Sequence, residues 1–288
     1  MRIRSDFIAA RASGGALMRL LHSRGPHRVL AFTMLAMGAA GASLVLLGPT
    51  ATAETSATPA EVVATVYAAA TAAGSFHYVN QQTLGINGTL VHQTESGDVS
   101  HGVGVQFING RLGDSEAIVI GSVAYLKGDA AALQVDLLYP LSRAKHYANR
   151  WISFTSKDAP FQTIKDLVLN NTFWGNPAQA PLDSLPQRPS SISQLSRVDG
   201  RSVESVTSTI DDVVKSTSSS FVGHAQVYFA ATSPQLPYRL TDATTGTEAG
   251  SPFSEQDSAT FSKWREHFEV RAPKGPLRYS ALPAPDAG

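Results

Sequence analysis

Hydrophobic and polar residues alternate along two stretches of the chain, and each stretch predicts a series of short β-strands. The first series covers residues 75–84, 90–94, 99–109, 113–120 and 123–126. The second covers residues 192–198, 202–210, 221–231, 238–242 and 259–270. Asn-Gly and Asp-Gly pairs separate several of these segments, and both residue types tolerate the positive φ of tight turns. The pattern predicts antiparallel strands joined by short connections.

The segment over residues 99–109 predicts which face of the sheet is buried. Its residues Val103, Val105 and Phe107 alternate with glycine and glutamine, so we expect these three side chains to face the interior. A sheet with one apolar face needs a covering layer.

Apolar residues at helical spacing predict the helices that form this covering layer. Residues 60–74 have Val62, Val63, Val66 and Tyr67 three to four positions apart, which predicts a helix that ends at Gly74. Asp129 can cap a helix over residues 130–138, a short helix can follow over residues 142–150, and residues 151–154 predict one more strand. Residues 161–168 place Phe161, Ile164, Leu167 and Val168 on one stripe of a further helix, and the proline-rich residues 176–189 predict an irregular loop. This order predicts an α+β fold with a large antiparallel sheet and helices against one face.

The N-terminal 53 residues predict export. An uncharged, largely apolar run over residues 29–48 follows Arg24 and Arg28, and small residues Ala51 and Ala53 precede a predicted cleavage before Glu54. The run is long enough to span a membrane, so an uncleaved anchor in the cytoplasmic membrane stays an alternative to a cleaved signal peptide. Either outcome predicts an extracytoplasmic protein, secreted or anchored to the outer side of that membrane. We expect a linker over residues 54–59, one domain over residues 60–272 and a flexible tail over residues 273–288.

Composition narrows the classes of function. The chain has no cysteine, which excludes disulfides, thiol catalysis and a lipid-modified cysteine. The first 53 residues contain six of the 23 basic residues and one of the 23 acidic residues, so the remainder carries a net negative charge. A negative surface without basic clusters repels phosphate backbones, and we expect no nucleic-acid partner.

Motifs for catalysis are absent from the sequence. There is no Gly-x-Ser-x-Gly elbow, His-Glu-x-x-His helix or phosphate-binding loop, and six histidines beyond residue 53 are scattered without metal-ligand spacing. The paired acids Asp211 with Asp212 and Glu266 with Glu269 lie in polar contexts, where a raised pKa is not expected. Trp151, Trp174 and Trp264 are dispersed, which argues against a sugar-stacking surface. We expect no enzyme activity, cofactor or metal.

Two segments resemble a known family. Residues 121–130 (GSVAYLKGDA), followed by a short helix and residues 147–154 (YANRWISF), resemble a pattern in actinobacterial envelope proteins of the LppX/LprG type, which have the LolA-like lipoprotein-carrier fold. Residues 238–240, 261–264 and 270–275 are similar to the closing strands of that group. The resemblance implies a half-barrel sheet with helices on its concave face and an apolar cavity for lipid acyl chains. The lipid-attachment cysteine of that group is missing here.

The leading hypothesis is therefore an exported, non-catalytic and monomeric protein that binds or carries a lipid or other lipophilic ligand. The candidate cavity residues are apolar positions of strands and helices: Val103, Val105, Phe107, Ile118, Ile120, Leu133, Leu137, Ile164, Leu167, Val227 and Phe229. The same residues would form an ordinary close-packed core if the interior were solid. The alternative is then an envelope interaction or sensory domain without a small-molecule ligand, and an unknown hydrolase is a more distant one. A cavity of several hundred Å³ between sheet and helices would distinguish the first two.

Overall fold

The computed structural model describes residues 57–86, 88–169, 189–214, 219–248 and 250–283, which form a single twelve-stranded sheet with four helices. The strands are β1 (Phe76–Ile86), β2 (Thr89–Ser100), β3 (Val103–Gly110), β4 (Ser115–Ile120), β5 (Val123–Gly128), β6 (Ile152–Thr155), β7 (Pro189–Val198), β8 (Arg201–Val214), β9 (Ser219–Ala230), β10 (Pro237–Glu248), β11 (Ser251–Ser262) and β12 (Leu277–Arg278). Their order across the sheet is β12-β6-β5-β4-β3-β2-β1-β11-β10-β9-β8-β7.

The two predicted series of strands form the two halves of this sheet. Strands β1 to β6 follow one another outwards in chain order, and β11 back to β7 do the same on the other side. The halves join where β1 pairs antiparallel with β11. All neighbouring pairs are antiparallel except β12 and β6. The prediction of a large antiparallel sheet in an α+β fold is confirmed, whereas its curvature into a half-barrel stays a prediction.

The four helices are α1 (Pro59–Ala73), α2 (Ala130–Asp136), α3 (Leu141–Tyr147) and α4 (Pro160–Leu169). Thr58 and Glu61 form a capping box at the start of α1, and Gly74 ends it with φ of 75°. The Asp129 side chain accepts a 2.7 Å hydrogen bond from the Ala132 backbone N–H and so caps α2. These two local predictions are confirmed. Among the described residues, no helix is long and apolar enough to cross a membrane.

The helices pack on one face of the sheet. We call it the core face and define it by Tyr78, Gly104, Ala117 and Leu126; the opposite side is the outer face. Helix α4 packs against β2 to β6, while α1 packs against β7 and β8. All four helices contribute buried side chains to one apolar cluster, the main core, which also includes Val227, Phe229, Leu240 and Phe261 from the second half of the sheet. The two halves of the sheet therefore share the main core.

A second, smaller apolar cluster lies at the other end of the central strands. Its four buried members are Leu84, Val91, Phe221 and Phe253. We call it the distal cluster. On β11, Phe261 belongs to the main core and Phe253 to the distal cluster, so the strand connects the two.

Several predicted boundaries needed correction. Strand β2 continues through residues 95–98, where we expected a turn. Strand β10 extends to Glu248, and β11 runs from Ser251 to Ser262 rather than over residues 259–270. In the predicted flexible tail, Leu277 and Arg278 pair with β6, and the ring of Tyr279 lies 5.0 Å from that of Phe154, so this part belongs to the fold.

Candidate functional site

Part of the predicted cavity lining lies in the main core. Leu133 of α2, Ile164 of α4, and Val227 and Phe229 of β9 are all buried in that cluster. Leu137 is half-buried against it. These side chains contact one another as members of a packed interior, which is what a solid core requires.

The other predicted lining residues from the sheet lie on the outer face. In β3 the buried residues are Gly104 and Gln106, whereas Val103 and Val105 are half-buried and Phe107 is 40% exposed. A Cβ on Gly104 would lie 2.9 Å from Val168 and 3.2 Å from Leu169, so α4 covers the glycine side of the strand. The expected orientation of β3 is therefore wrong, because close packing of α4 needs a small residue at its contact point.

Strand β4 follows the same orientation. Ile118 is opposite Val105 and Ile120 is opposite Val103, so both lie on the outer face. Ile118 is buried there without belonging to the main core, and Ile120 is half-buried. Leu167 of α4 is half-buried, while its neighbour Val168 is the fully buried residue of that turn.

An apolar cleft of about 240 Å³ lies at one end of β8 to β11. Its walls include Val203, the connection between β9 and β10, and the aromatic residues Phe261 and Trp264. The Trp264 indole N–H donates a 3.1 Å hydrogen bond to the Pro237 carbonyl, and the Trp264 ring lies 5.1 Å from that of Phe76. The guanidinium of Arg201 lies 4.7 Å from the ring of Tyr238 at the same cleft. The cleft therefore has an aromatic wall and carries the positive charge of Arg201.

A second cleft of about 320 Å³ is more polar. It is lined by Arg143, Lys157, Asp158, Tyr279 and Leu282, among others. The guanidinium of Arg143 stacks 4.3 Å from the ring of Tyr139, which fixes one wall. Both clefts border the main core, since Phe261 belongs to it and Tyr279 and Leu282 pack against it.

Between the main core and the distal cluster, the core face is acidic. Glu95 of β2, Asp242 of β10, and Glu255 and Asp257 of β11 lie on this face, and we call these four residues the carboxyl row. Asp257 is directly opposite Asp242 on one side and Gln82 on the other. Amide side chains support the row: Gln82 Nε2 donates to Glu255 Oε1 at 3.0 Å, and Gln93 Nε2 donates to Glu95 Oε1 at 2.8 Å.

Burial and mutual repulsion perturb the acids of this region. Desolvation, then the carboxylates of Glu255, Asp242 and Glu95, raise the pKa of Asp257 to about 9. At the end of α2, burial raises the pKa of Asp136 to about 7; a Ser115 hydrogen bond opposes this shift, and the Asp129 and Glu95 carboxylates add to it. A pKa of about 9 keeps Asp257 mostly protonated in neutral solution, whereas a pKa of about 7 leaves Asp136 divided between its neutral and ionised forms.

Polar atoms around the carboxyl row have no hydrogen-bond partner among the described residues. They include Asn80 Oδ1 and Asp257 Oδ1. The Tyr78 hydroxyl would lie 3.0 Å from a Cβ at position 97, so Gly97 makes room for it beside β2. Burial and, to a smaller extent, the negative charge of Glu95 raise the pKa of Tyr78. The carboxyl row therefore acts electrostatically on this hydroxyl. Buried polar atoms are normally satisfied, so this concentration needs an explanation.

Sequence analysis did not identify the carboxyl row. A signal was present, because each acid occupies the same alternation phase as apolar core residues of its own strand, such as Val91 and Val99 on β2 or Leu240 on β10. Considered from the sequence alone, an acidic side chain at these positions indicates the end of a strand.

The remaining candidates do not form a site in the described residues. Glu266 and Glu269 are exposed, and Glu269 pairs with Arg271. The side chains of Asp211 and Asp212, and all of Trp174, lie outside the described residues. Trp151 is half-buried beneath the Lys127 ammonium at 4.8 Å. No three His, Cys, Asp or Glu side chains in the described ranges are grouped as metal ligands would be.

Comparisons with known proteins give distant structural likenesses. No family model matches the chain, and no curated protein matches it. It is similar to a domain from Vibrio parahaemolyticus named for outer membrane lipoprotein sorting, with 13% identity and a TM-score of 0.26 over 70% of this chain and 89% of that one. It is also similar to a DUF1329 family protein from Desulfovibrio piger, with 13% identity and a TM-score of 0.24 over 77% of this chain and 99% of that one.

Proposed function

We propose that this protein is an exported, non-catalytic envelope protein that binds a lipophilic ligand. The observation that supports the proposal is the apolar cleft beside Phe261 and Trp264. Ligand sites are concave and mostly apolar, with a few polar groups that orient the ligand, and the cleft has this character. Its volume of about 240 Å³ suits one end of an acyl chain rather than a whole lipid.

Packing of the core limits where such a ligand could lie. Leu133, Val227 and Phe229 have no exposed surface, so a chain cannot occupy the main core without displacing them. We therefore place the apolar part of the ligand in the cleft and along adjoining core-face strands, not beneath the helices.

An interaction domain without a small-molecule ligand is the second candidate function. The observation that favours it is the apolar outer face, where Val103, Val105 and Phe107 retain exposed surface. Apolar residues grouped on an exposed face are typical of surfaces that contact other molecules.

Native mass spectrometry tests the proposal directly. The protein is isolated from a secreting host without detergent, and its intact mass is compared with the lipids recovered in an organic extract. We expect a stoichiometric lipophilic adduct. A ligand-free mass that does not change after incubation with lipid extract would contradict ligand binding and support the interaction domain.

A matched pair of variants locates the ligand. Leu236 lines the cleft, and its backbone rather than its side chain forms the hydrogen bonds of the β9–β10 connection, so Leu236→Glu should remove the adduct while the protein stays folded. Leu195→Glu adds the same charge at a side chain that is 66% exposed on β7, and it should retain the adduct. Equal loss or equal retention in both variants would place the ligand elsewhere.

A further inference from the structure

We propose that the second cleft, of about 320 Å³, binds the phosphate group of an amphiphile. It is lined by Arg143 of α3, Lys157 of the β6–α4 connection, and Tyr279 and Leu282 of the C-terminal segment. We call it the basic cleft. It shares no lining residue with the apolar cleft beside Trp264, so the inference goes beyond the proposed function and does not depend on it.

Three segments that are far apart in the chain build the basic cleft, and its C-terminal wall is held in place by contacts with β6 and its flank. The Leu277 backbone N–H donates a 2.8 Å hydrogen bond to the Trp151 carbonyl, and the Ser153 hydroxyl donates to the Leu277 carbonyl at 3.3 Å. The ring of Tyr279 lies 5.0 Å from that of Phe154. This wall is therefore part of the packed fold before any ligand binds.

Aromatic contacts position the guanidinium of Arg143. It lies 4.3 Å from the ring of Tyr139 and 5.9 Å from that of Tyr147. Burial raises the pKa of Tyr139, and the positive charge of Arg143 and a hydrogen bond from it oppose this shift. A guanidinium has five N–H donors, so one bond to a hydroxyl leaves others for a ligand. Phosphate is an acceptor that a guanidinium binds with two parallel hydrogen bonds.

The two cations of the basic cleft are not neutralised by ion pairs. Neither Arg143 nor Lys157 forms one within the described part of the chain. Asp158 also lines the cleft, but its Oδ2 accepts hydrogen bonds from the Thr155 backbone N–H at 2.7 Å and from the Thr155 hydroxyl at 2.9 Å. The walls thus carry two positive charges and one negative charge that is already hydrogen-bonded, which favours an anionic ligand.

The surroundings favour a phosphate that is attached to an apolar group. Tyr279 and Leu282 are half-buried and pack against the main core, so an apolar wall adjoins the two cations. An inorganic ion would leave this wall in contact with water, whereas an acyl chain would cover it. Two cations suit one phosphate group, and they do not suit the many phosphates of a nucleic acid.

Three probes test the inference. Dihexanoyl phosphatidic acid has a phosphate and two short chains, dihexanoylglycerol has the same chains without the phosphate, and inorganic phosphate has no chains. Each is titrated below any micellar concentration into the protein isolated from a secreting host, at pH 7.5 and at low ionic strength, because salt screens exposed charges. Charge-assisted hydrogen bonds should make the phosphatidic acid bind about tenfold or more tightly than dihexanoylglycerol. It should also bind more tightly than inorganic phosphate, because its chains cover the apolar wall.

Two variants assign the preference to the basic cleft. Arg143→Gln should weaken binding of the phosphatidic acid about tenfold, and Lys157→Gln about threefold because that side chain is exposed. Neither should change binding of dihexanoylglycerol. Lys145→Gln is the matched control, since Lys145 is an exposed cation of α3 that does not line the cleft. It should retain the affinity of the parent protein.

The outcomes separate this inference from the proposed function. Leu236→Glu alters the apolar cleft alone, so it should leave binding of the phosphatidic acid unchanged. Equal binding of the phosphatidic acid and dihexanoylglycerol would overturn the phosphate site and leave the proposed function intact. Equal binding of the phosphatidic acid and inorganic phosphate would overturn the amphiphile as the source of the phosphate. A preference that survives both cleft variants, or that is lost in Leu236→Glu, would overturn the role of the basic cleft.

Discussion

Burial of Asp257 makes the stability of the folded protein depend on pH. Its side chain lies on the core face of β11, and the pKa near 9 means that the folded protein holds a proton there that the unfolded chain releases above about pH 4. Protonation of the folded state thus contributes stability that is fully present below the unfolded pKa. That stability is lost as the pH rises through the folded pKa.

Asp257→Asn is the prediction at this scale. Because the amide carries no charge, we expect the variant to be more stable than the parent at pH 8, by on the order of 1–3 kcal/mol, and the decline in stability between about pH 4 and pH 9 to become shallower. Urea unfolding of both proteins across this range measures the effect.

Asp98→Asn provides the control for that measurement. Asp98 lies on the outer face of β2 and is partly exposed. Its Oδ1 lies 2.7 Å from the Nδ1 of His77. Its replacement should leave the slope above pH 7 unchanged. If Asp257→Asn had the same slope as the parent, Asp257 would not hold its proton in the folded state.

At the scale of elements, alternation predicted the strands but not which face is covered. Val103, Val105 and Phe107 share a face of β3, as predicted, yet that face is the outer one. Alternation identifies which residues lie together, and hydrophobicity normally indicates the buried side. Here α4 approaches the sheet at Gly104, and contact with a helix depends on the size of the residue as much as on its polarity.

Lysine substitution on the two faces tests this assignment. Phe107 is directly opposite Glu116 and is 40% exposed, so Phe107→Lys places its charge beside a carboxylate and should change stability by no more than about 1 kcal/mol. Val119 is opposite Gly104 and fully buried, so Val119→Lys should cost on the order of 4 kcal/mol or prevent folding. Chemical denaturation of both variants checks the prediction. Greater damage from Phe107→Lys would mean that β3 buries the face predicted from sequence.

The predicted ends of two strands were wrong for a related reason. Residues 95–98 of β2 and residues 251–258 of β11 did not resemble strands because Glu95, Glu255 and Asp257 occupy core-face positions. The backbone pairs on both sides there, so tertiary context overrides local propensity. Sequence reasoning was thus least successful where the carboxyl row crosses the sheet, which is typical of positions retained for a purpose other than stability.

Across the whole molecule, sequence predicted the order of elements better than their function. The two series of strands and the early helix follow from alternation and caps, which act locally. The carboxyl row and the cleft do not, since each assembles residues far apart in the chain, such as Val203 with Phe261 or Glu95 with Asp257. Pairing of β1 with β11 brings Glu95 of β2 into the neighbourhood of Asp257, and no local pattern specifies that pairing.

The same pairing predicts uneven local stability along the central strands. Strands β9 and β11 carry main-core residues at one end and distal-cluster residues at the other, with acidic residues of β10 and β11 between them. Free energies of local opening follow the apolar surface buried around each segment. We therefore expect amides near Val227, Leu240 and Ala259 to exchange with solvent at least tenfold more slowly than amides near Phe221 and Phe253 on the same ladders. Hydrogen exchange followed by mass spectrometry measures both ends in one experiment. The Asp257→Asn variant should slow exchange at the distal end more than in the main core, because the buried amide, unlike the buried acid, does not have to take up a proton on folding. Uniform protection along β9 to β11 would mean that the sheet opens as one unit and that the acidic region does not divide its stability.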